Sequence, residues 1–272
     1  MTFDLVEPAA VALDEETRVA RAVADTARES RPWCGGFLCA DDAGTWANMA
    51  LGAAMRGERI TGRDVAEVVD WYESRGCEPH VQACAYSHPS LVRRLGEAGF
   101  VLKEMELVLV VNPAVALRIP WECPEHLSIE RVPAGDDAAV TEFARVVTTG
   151  FYEGRDDAVQ LALMERASRH ERAVNLLARI EGEPVGGASL DIWGDLGGLY
   201  FAAVLPDFRR RGVQLALMRE RLEIAAASGC RLATVGTLPG VATERNARRC
   251  GMTPCYTRVA LVRPGKGLTP SE

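Results

Sequence analysis

Two rhythms of apolar positions alternate along this chain: a spacing near 3.6, and short continuous runs. In the second half, 128–131 reads as a short strand. Asp136 can then cap a helix whose apolar face is Val140, Phe143, Ala144 and Val147, the i, i+3, i+4, i+7 pattern of a helix that buries one side. A further helix is predicted over 158–168. Apolar runs at 173–180 and 185–193 flank Glu181-Gly182-Glu183-Pro184, a hairpin signal, and a second turn is expected at 195–198. Residues 199–205 form a third strand in series. After 209–214 comes a long helix with Leu215, Met218, Leu222 and Ala225 on one face and Gly229 as its stop. A strand at 231–237, a short helix near 243–250 and a strand at 256–262 complete the pattern. Hairpins joined to one helical crossover imply an α/β fold whose mixed, mostly antiparallel sheet includes a parallel pair and is flanked by helices.

The first half closes in the same order. Thr61 can cap a helix with Val65, Val68, Val69 and Tyr72 on one face, and Gly76 stops it. A strand at 80–85, a helix at 89–98 and a strand at 100–111 follow. From His80 to Val111 this segment aligns without a gap on the second half at an offset of 152, with Arg93 over Arg245 and Leu109-Val110 over Leu261-Val262. The repeat suggests two copies of one fold. Between them, 113–127 carries Pro113, Pro120 and Pro124, a density that breaks regular structure. The expected organisation is one domain over 1–112, a linker over 113–127, a second domain over 128–263 and a flexible tail over 264–272.

Composition narrows the function classes. With 272 residues, 48% hydrophobic and 25% charged, the chain can build ordinary cores without staples. A net charge of −7 argues against nucleic-acid binding, which needs a basic footprint. The eight cysteines form no CxxC pair, and the four histidines do not join them at zinc-finger spacing, so reduced, buried thiols and no metal are expected. The opening MTFDLVEPAAVALDEE lacks a basic segment followed by an apolar run, and no window reaches the length of a spanning helix. These readings point to a cytoplasmic protein that uses no membrane.

The strongest chemical signal is Val204-Leu205-Pro206-Asp207-Phe208-Arg209-Arg210-Arg211-Gly212-Val213-Gln214, between a strand and a helix. A helix N-terminus exposes unpaired N–H groups and the positive end of its dipole. A glycine there lets the backbone approach a phosphate, and arginines add fixed charge. Together they suit a diphosphate.

This segment resembles motif A of the GNAT N-acetyltransferases, an Arg/Gln-x-x-Gly-x-Gly/Ala loop. Arg209 matches its first position and Gly212 its fourth, while Gln214 stands where Gly or Ala is usual. The resemblance continues through Gly229-Cys230-Arg231, Arg245-Asn246-Ala247, Gly251-Met252 and Tyr256-Thr257-Arg258, and the first half looks like the degenerate domain of two-domain members. It implies a tandem GNAT fold and an acetyl-CoA-dependent transferase that moves an acetyl group to the amine of a small-molecule or peptide acceptor by direct attack. The chain would work as a monomer or homodimer. Coenzyme A would be held by Ala202, Ala203, Val204, Leu205, Arg209, Arg210, Arg211, Gly212, Val213, Gln214 and Asn246, with Arg249 as a further contact. The first half lacks the Arg-x-x-Gly loop and is expected not to hold it.

Direct attack needs an amine that has lost its proton. Asp191, Asp195, Glu153, Asp156 and Asp157 are the candidate bases. The helix tyrosine that protonates the leaving thiolate in many members aligns here with Ala247, and Tyr256 is the substitute candidate. Phe151, Tyr152 and Trp193 are candidate walls of the acceptor pocket. Cys250 and Cys255 have no neighbouring histidine in sequence to make them nucleophiles. The missing helix tyrosine also leaves open a non-catalytic acyl-CoA-binding protein, and pocket depth leaves open a different acyl group.

Overall fold

The computed structural model describes residues 7–153 and 157–270. Their contacts divide into two units: the chain up to Leu107 together with everything from Tyr256 onward, and Val108–Cys255.

The first unit opens with helix α1 (Pro8–Thr26), then strands β1 (Glu29–Trp33), β2 (Gly36–Ala40) and β3 (Met49–Leu51), helix α2 (Gly62–Glu73), strand β4 (His80–Cys84), helix α3 (Ser90–Glu97) and the start of strand β5 (Val101–Val111). Its last strand is β11 (Thr253–Val262), of which residues 256–262 belong here. The sheet order is β1-β2-β3-β4-β11, with β3 and β4 parallel and the other pairs antiparallel. The α2 face foreseen from spacing is present: Val65, Val68 and Tyr72 join Leu38, Val81, Leu91 and Leu95 in one core. Everything before residue 61 was illegible as pattern, because α1 buries charge. Glu15, Glu16 and Arg18 lie inside beside Val11 and Ala20, with Arg18 paired to Glu15 at 2.8 Å.

The second unit contains helix α4 (Pro113–Ala116), strand β6 (Leu127–Val132), helices α5 (Asp137–Phe151) and α6 (Ala158–Ser168), the meander β7 (Ala173–Ile180), β8 (Glu183–Trp193) and β9 (Leu196–Val204), helix α7 (Val213–Ala227), strand β10 (Leu232–Thr237) and helix α8 (Ala242–Arg249). Its sheet order is β10-β9-β8-β7-β6, parallel only at β10–β9. Val140, Phe143, Ala144 and Val147 form the core face of α5, and Asp136 caps it through the Ala139 N–H at 3.0 Å. The turn expected over 195–198 falls at Gly194-Asp195 instead, since Trp193 already pairs with Leu196. Helix α7 is buried on more than one side: Val213, Leu217, Arg219, Arg221 and Ile224 are inside, whereas Leu215 is half-exposed.

The boundaries also differ from those expected. Residues 113–127 do not hang free as a linker. They pack onto the second unit, where the Ala116 carbonyl accepts a bond from Arg219 Nη1 at 3.0 Å and Arg219 sits 5.7 Å from the Trp121 ring centre. The tail is not loose either. Thr269 N–H donates to Gly76 O at 2.8 Å, and Glu78 N–H to Thr269 O at 2.9 Å, so the tail takes up the backbone groups exposed after α2.

The substitute acid, Tyr256, is committed elsewhere. It is buried in the first unit, and its hydroxyl donates to Glu16 Oε1 at 2.7 Å. Glu16 also receives Arg258 Nη1 at 3.4 Å, while Arg258 Nε reaches Glu106 at 2.6 Å. Burial, with Glu16 adding to it, holds the Tyr256 hydroxyl far above the usual phenol range.

Two outcomes follow. Tyr256→Phe removes a donor from a buried carboxylate and should lower unfolding free energy by about 1–3 kcal/mol, as read by urea titration. His80 is buried in β4, and burial, with Lys103 nearby, lowers its pKa from 6.5 to about 4. The folded state therefore refuses a proton that the unfolded chain accepts. His80 supports the fold fully above pH 6.5, and that support should fade as pH falls from about 6.5 to about 4, by up to about 1.4 kcal/mol per pH unit. His80→Gln should flatten that part of the stability curve.

Candidate active site

The site begins where two parallel strands part. Pairing of β9 with β10 runs from Leu196↔Leu232 to Leu199↔Val235, yet β9 continues to Val204. The departure coincides with a β-bulge against β8. Gly187 pairs with Ala203 and Ser189 with Tyr200, so β9 holds an extra residue there. Phe201 adopts φ +49°, a left-handed conformation that costs a non-glycine residue about 1 kcal/mol or more. The bulge brings two consecutive aromatic rings, Tyr200 and Phe201, to 4.7 Å between centres.

Below the bulge sits Arg221 of α7, 1% exposed. Its Nε donates to Leu217 O at 3.0 Å, and its Nη1 donates to both Ser189 O and Tyr200 O, at 3.2 and 3.3 Å. Nη2 is buried without a hydrogen-bond partner among the described residues, and no carboxylate pairs with the guanidinium there. Burial pushes its pKa down to about 9. Spacing could not flag this residue, because an arginine on an apolar helix reads as a solvated position.

From the parted strands the chain crosses 206–208 and enters α7. Gly212 is its N-cap residue at φ +80°, with no side-chain cap and no acidic residue in the first turn. Arg210 is also left-handed, at φ +65°. A Cβ on Gly212 would lie 2.8 Å from Pro124 Cγ, so glycine is required by conformation and by space. Among the described residues, the first turn of α7 therefore carries neither a side-chain cap from its N-cap residue nor an acidic side chain of its own to oppose the helix dipole. The matching helix of the first unit is closed: Thr61 caps α2, and the Asp64 carboxylate accepts from the Thr61 N–H at 2.7 Å. That carboxylate occupies the place where an anion would bind.

A cavity of about 650 Å³ opens between these parts. Ala202, Ala203 and Val204 form its strand wall. Arg209, Arg210, Gly212, Val213 and Gln214 form its loop and helix mouth, and Asn246, with Arg245 and Arg249 of α8, its far side. Two expected contacts fall outside the lining. Leu205 turns onto the α5 core, and Arg211 stacks its guanidinium 5.1 Å over the Phe208 ring. Arg209 ties the mouth together, donating to Gly150 O at 3.0 Å and Val204 O at 3.3 Å. Gln214 donates to Thr243 Oγ1 at 2.9 Å and accepts from Asn246 Nδ2 at 2.8 Å, which clasps the start of α7 to α8. Gly150 and Ala242 were missed as wall residues. At Gly150 a Cβ would stand 2.9 Å from Ala203 Cβ, and only a glycine inside the predicted helix hinted at so close an approach.

The candidate bases scatter. Asp191 is buried, with Arg172 Nε at 3.3 Å. Asp195 forms the β8–β9 turn and pairs with Arg231 at 2.9 Å. Asp157 caps α6 through the Gln160 N–H at 3.0 Å, and Glu153 is exposed, 3.6 Å from Arg209 Nη1. Asp156 lies outside the described residues. Phe151 lines the cavity, whereas Tyr152 and Trp193 do not, and Trp193 instead carries Arg172 4.8 Å over its ring. Of the described cavity-lining residues, none is a carboxylate, histidine, tyrosine or cysteine. Cys250 is buried and Cys255 half-buried, and burial raises both thiols.

Residues 140–252 match the family described as acetyltransferase (GNAT) family. No curated protein is similar to the chain in sequence. Its fold is similar to that of a GCN5-related N-acetyltransferase from Kribbella flavida (TM-score 0.68, 19% identity, covering 92% of this chain and 96% of that one). It is similar also to a tandem GNAT protein from the clavulanic acid biosynthesis pathway (TM-score 0.61, 13% identity, 98% of each chain). A GCN5-related N-acetyltransferase from Sphaerobacter thermophilus gives a TM-score of 0.58 at 21% identity, covering 82% of this chain and 74% of that one. The parted strands and the open helix mouth lie within residues 140–252, the stretch of the second unit that matches the acetyltransferase (GNAT) family.

Proposed function

We propose that this protein is an acyl-CoA-dependent N-acyltransferase that moves an acetyl group from acetyl-CoA to the amine of a small molecule by direct attack. The observation that carries the reading is the uncapped, acid-free N-terminus of α7 at Gly212, opening into an arginine-lined cavity beside parted strands. The chemistry of the donor set fits the group: first-turn N–H groups and Arg210 would hold the diphosphate, and Arg245 and Arg249 further phosphate charge. When bound, the coenzyme supplies an activated thioester.

The chain's own residues do the rest. Arg209 holds the mouth in shape, and Ala202 and Ala203 keep the strand wall narrow enough for an extended arm to lie along it. Backbone N–H groups of β9 after the bulge would bond the thioester oxygen as negative charge develops on it. Glu153, at the Arg209 end of the mouth, is assigned to take the ammonium proton through water. None of the described lining side chains is an acid, so the chain would leave the thiolate product to take its proton from solvent. The lack of an acid–base side chain in the described lining favours one second reading, acyl-CoA binding without turnover.

Calorimetric titration with coenzyme A, followed by thiol release from acetyl-CoA over an amine panel, separates these readings. The expected result is uptake and acceptor-dependent thiol. Arg210→Glu/Arg249→Glu, which places carboxylates in the cavity lining without touching Gly212, should weaken uptake at least tenfold while the far-ultraviolet circular dichroism stays unchanged. Uptake without thiol would select the binding reading. No uptake by the parent protein would end both.

A further inference from the structure

The buried guanidinium under the β9 bulge is used by none of the roles assigned so far. A fully buried arginine without a carboxylate partner is unfavourable unless its donors meet groups that would otherwise be orphaned. Here one nitrogen, Nη1, bridges the carbonyls of Ser189 and Tyr200, the last regular β8–β9 pair before the register shift. Its Nε is anchored on its own helix at Leu217 O. The helix that opens at Gly212 and the strand that forms the cavity wall are therefore joined by one rigid side chain, eight residues beyond Val213. Phe201, immediately after the pinned Tyr200 carbonyl, is the strained left-handed residue, and Ala202 is the first strand residue in the cavity wall.

We propose that Arg221 is a positioning residue for acyl transfer: by bridging Ser189 O and Tyr200 O it holds the bulge at Phe201 and so aims those backbone N–H groups of 202–204 that face away from β8 at the thioester oxygen. This rests on the acyl-CoA reading above. The guanidinium also lends positive charge to the same end of the strand, because a carbonyl that accepts a charge-assisted bond makes the N–H of its own peptide unit a stronger donor. Arg221 touches no substrate in this role. It acts through the backbone it fixes, whereas the diphosphate contacts lie at the far end of the α7 mouth and do not depend on it.

The test uses full-length protein and acetyl-CoA labelled with carbon-13 at the acetyl carbonyl, with Arg221→Met and Arg221→Lys. In the parent protein the bound carbonyl resonance should move downfield, the mark of a polarised thioester. Arg221→Met should keep coenzyme A affinity within about threefold and lose at least half of that displacement, and Arg221→Lys, which keeps charge and donors, should recover most of it. Turnover, where an acceptor is found, should fall at least tenfold in kcat for Arg221→Met with KM for acetyl-CoA little changed. A folded Arg221→Met with the full carbonyl displacement overturns the proposal, as does a loss that is equal in the Met and Lys variants. If Arg221→Met does not fold, Arg221→Gln takes its place, and a displacement equal to that of the parent overturns the proposal in the same way. A parent protein that takes up no coenzyme A removes the acyl-CoA reading instead, before any variant is compared.

Discussion

Backbone groups that leave a sheet ladder inside a protein must find other partners, and the second unit is arranged around one such departure. Strand β9 gives up its parallel partner after Leu199, takes in an extra residue against β8, and still runs on to Val204. The carbonyls at the point of departure are met by a buried arginine from the helix behind them. With that bond set in place, the carbonyls beside the bulge keep a partner, and a cavity of about 650 Å³ opens beside the parted strands.

The two units show how little separates an anion site from an ordinary helix start. Both place a helix after a strand and a turn. In the first unit, Thr61 and Asp64 satisfy the free N–H groups of α2 and set a negative charge beside them. In the second, Gly212 has no side chain to offer, Pro124 leaves room for none, and the nearby charges lining the cavity are arginines. A capping box and a bare glycine give the same helix and opposite chemistry.

Charge is buried in both units, by different means. In the first, Glu16, Tyr256, Arg258 and Glu106 form a connected network in which each charge meets a partner. In the second, Arg221 meets only carbonyls, and one of its nitrogens meets nothing among the described residues. A connected network supports a fold. A guanidinium left partly unsatisfied is kept where a geometry is worth its desolvation.

Amphipathic spacing was enough to place α2, α5, α6, α7 and α8, the β7–β8–β9 meander and the loop from Arg209 to Gln214, because each announces itself within a few residues through periodicity, caps or glycine stops. Helix α1 and strands β1 to β3 gave no such signal, since Glu15, Glu16 and Arg18 are inside only by virtue of partners, some of them far along the chain. The same limit hid the partner of Tyr256, which lies 240 residues away, and those of Arg221, which include carbonyls on two other elements. Local sequence therefore determined which segments become helices and strands and which loop could hold a phosphate. Tertiary structure alone decided which charges are buried, where β9 leaves its neighbour and which side chains face the opening, because those outcomes depend on bonds between residues that no short window contains.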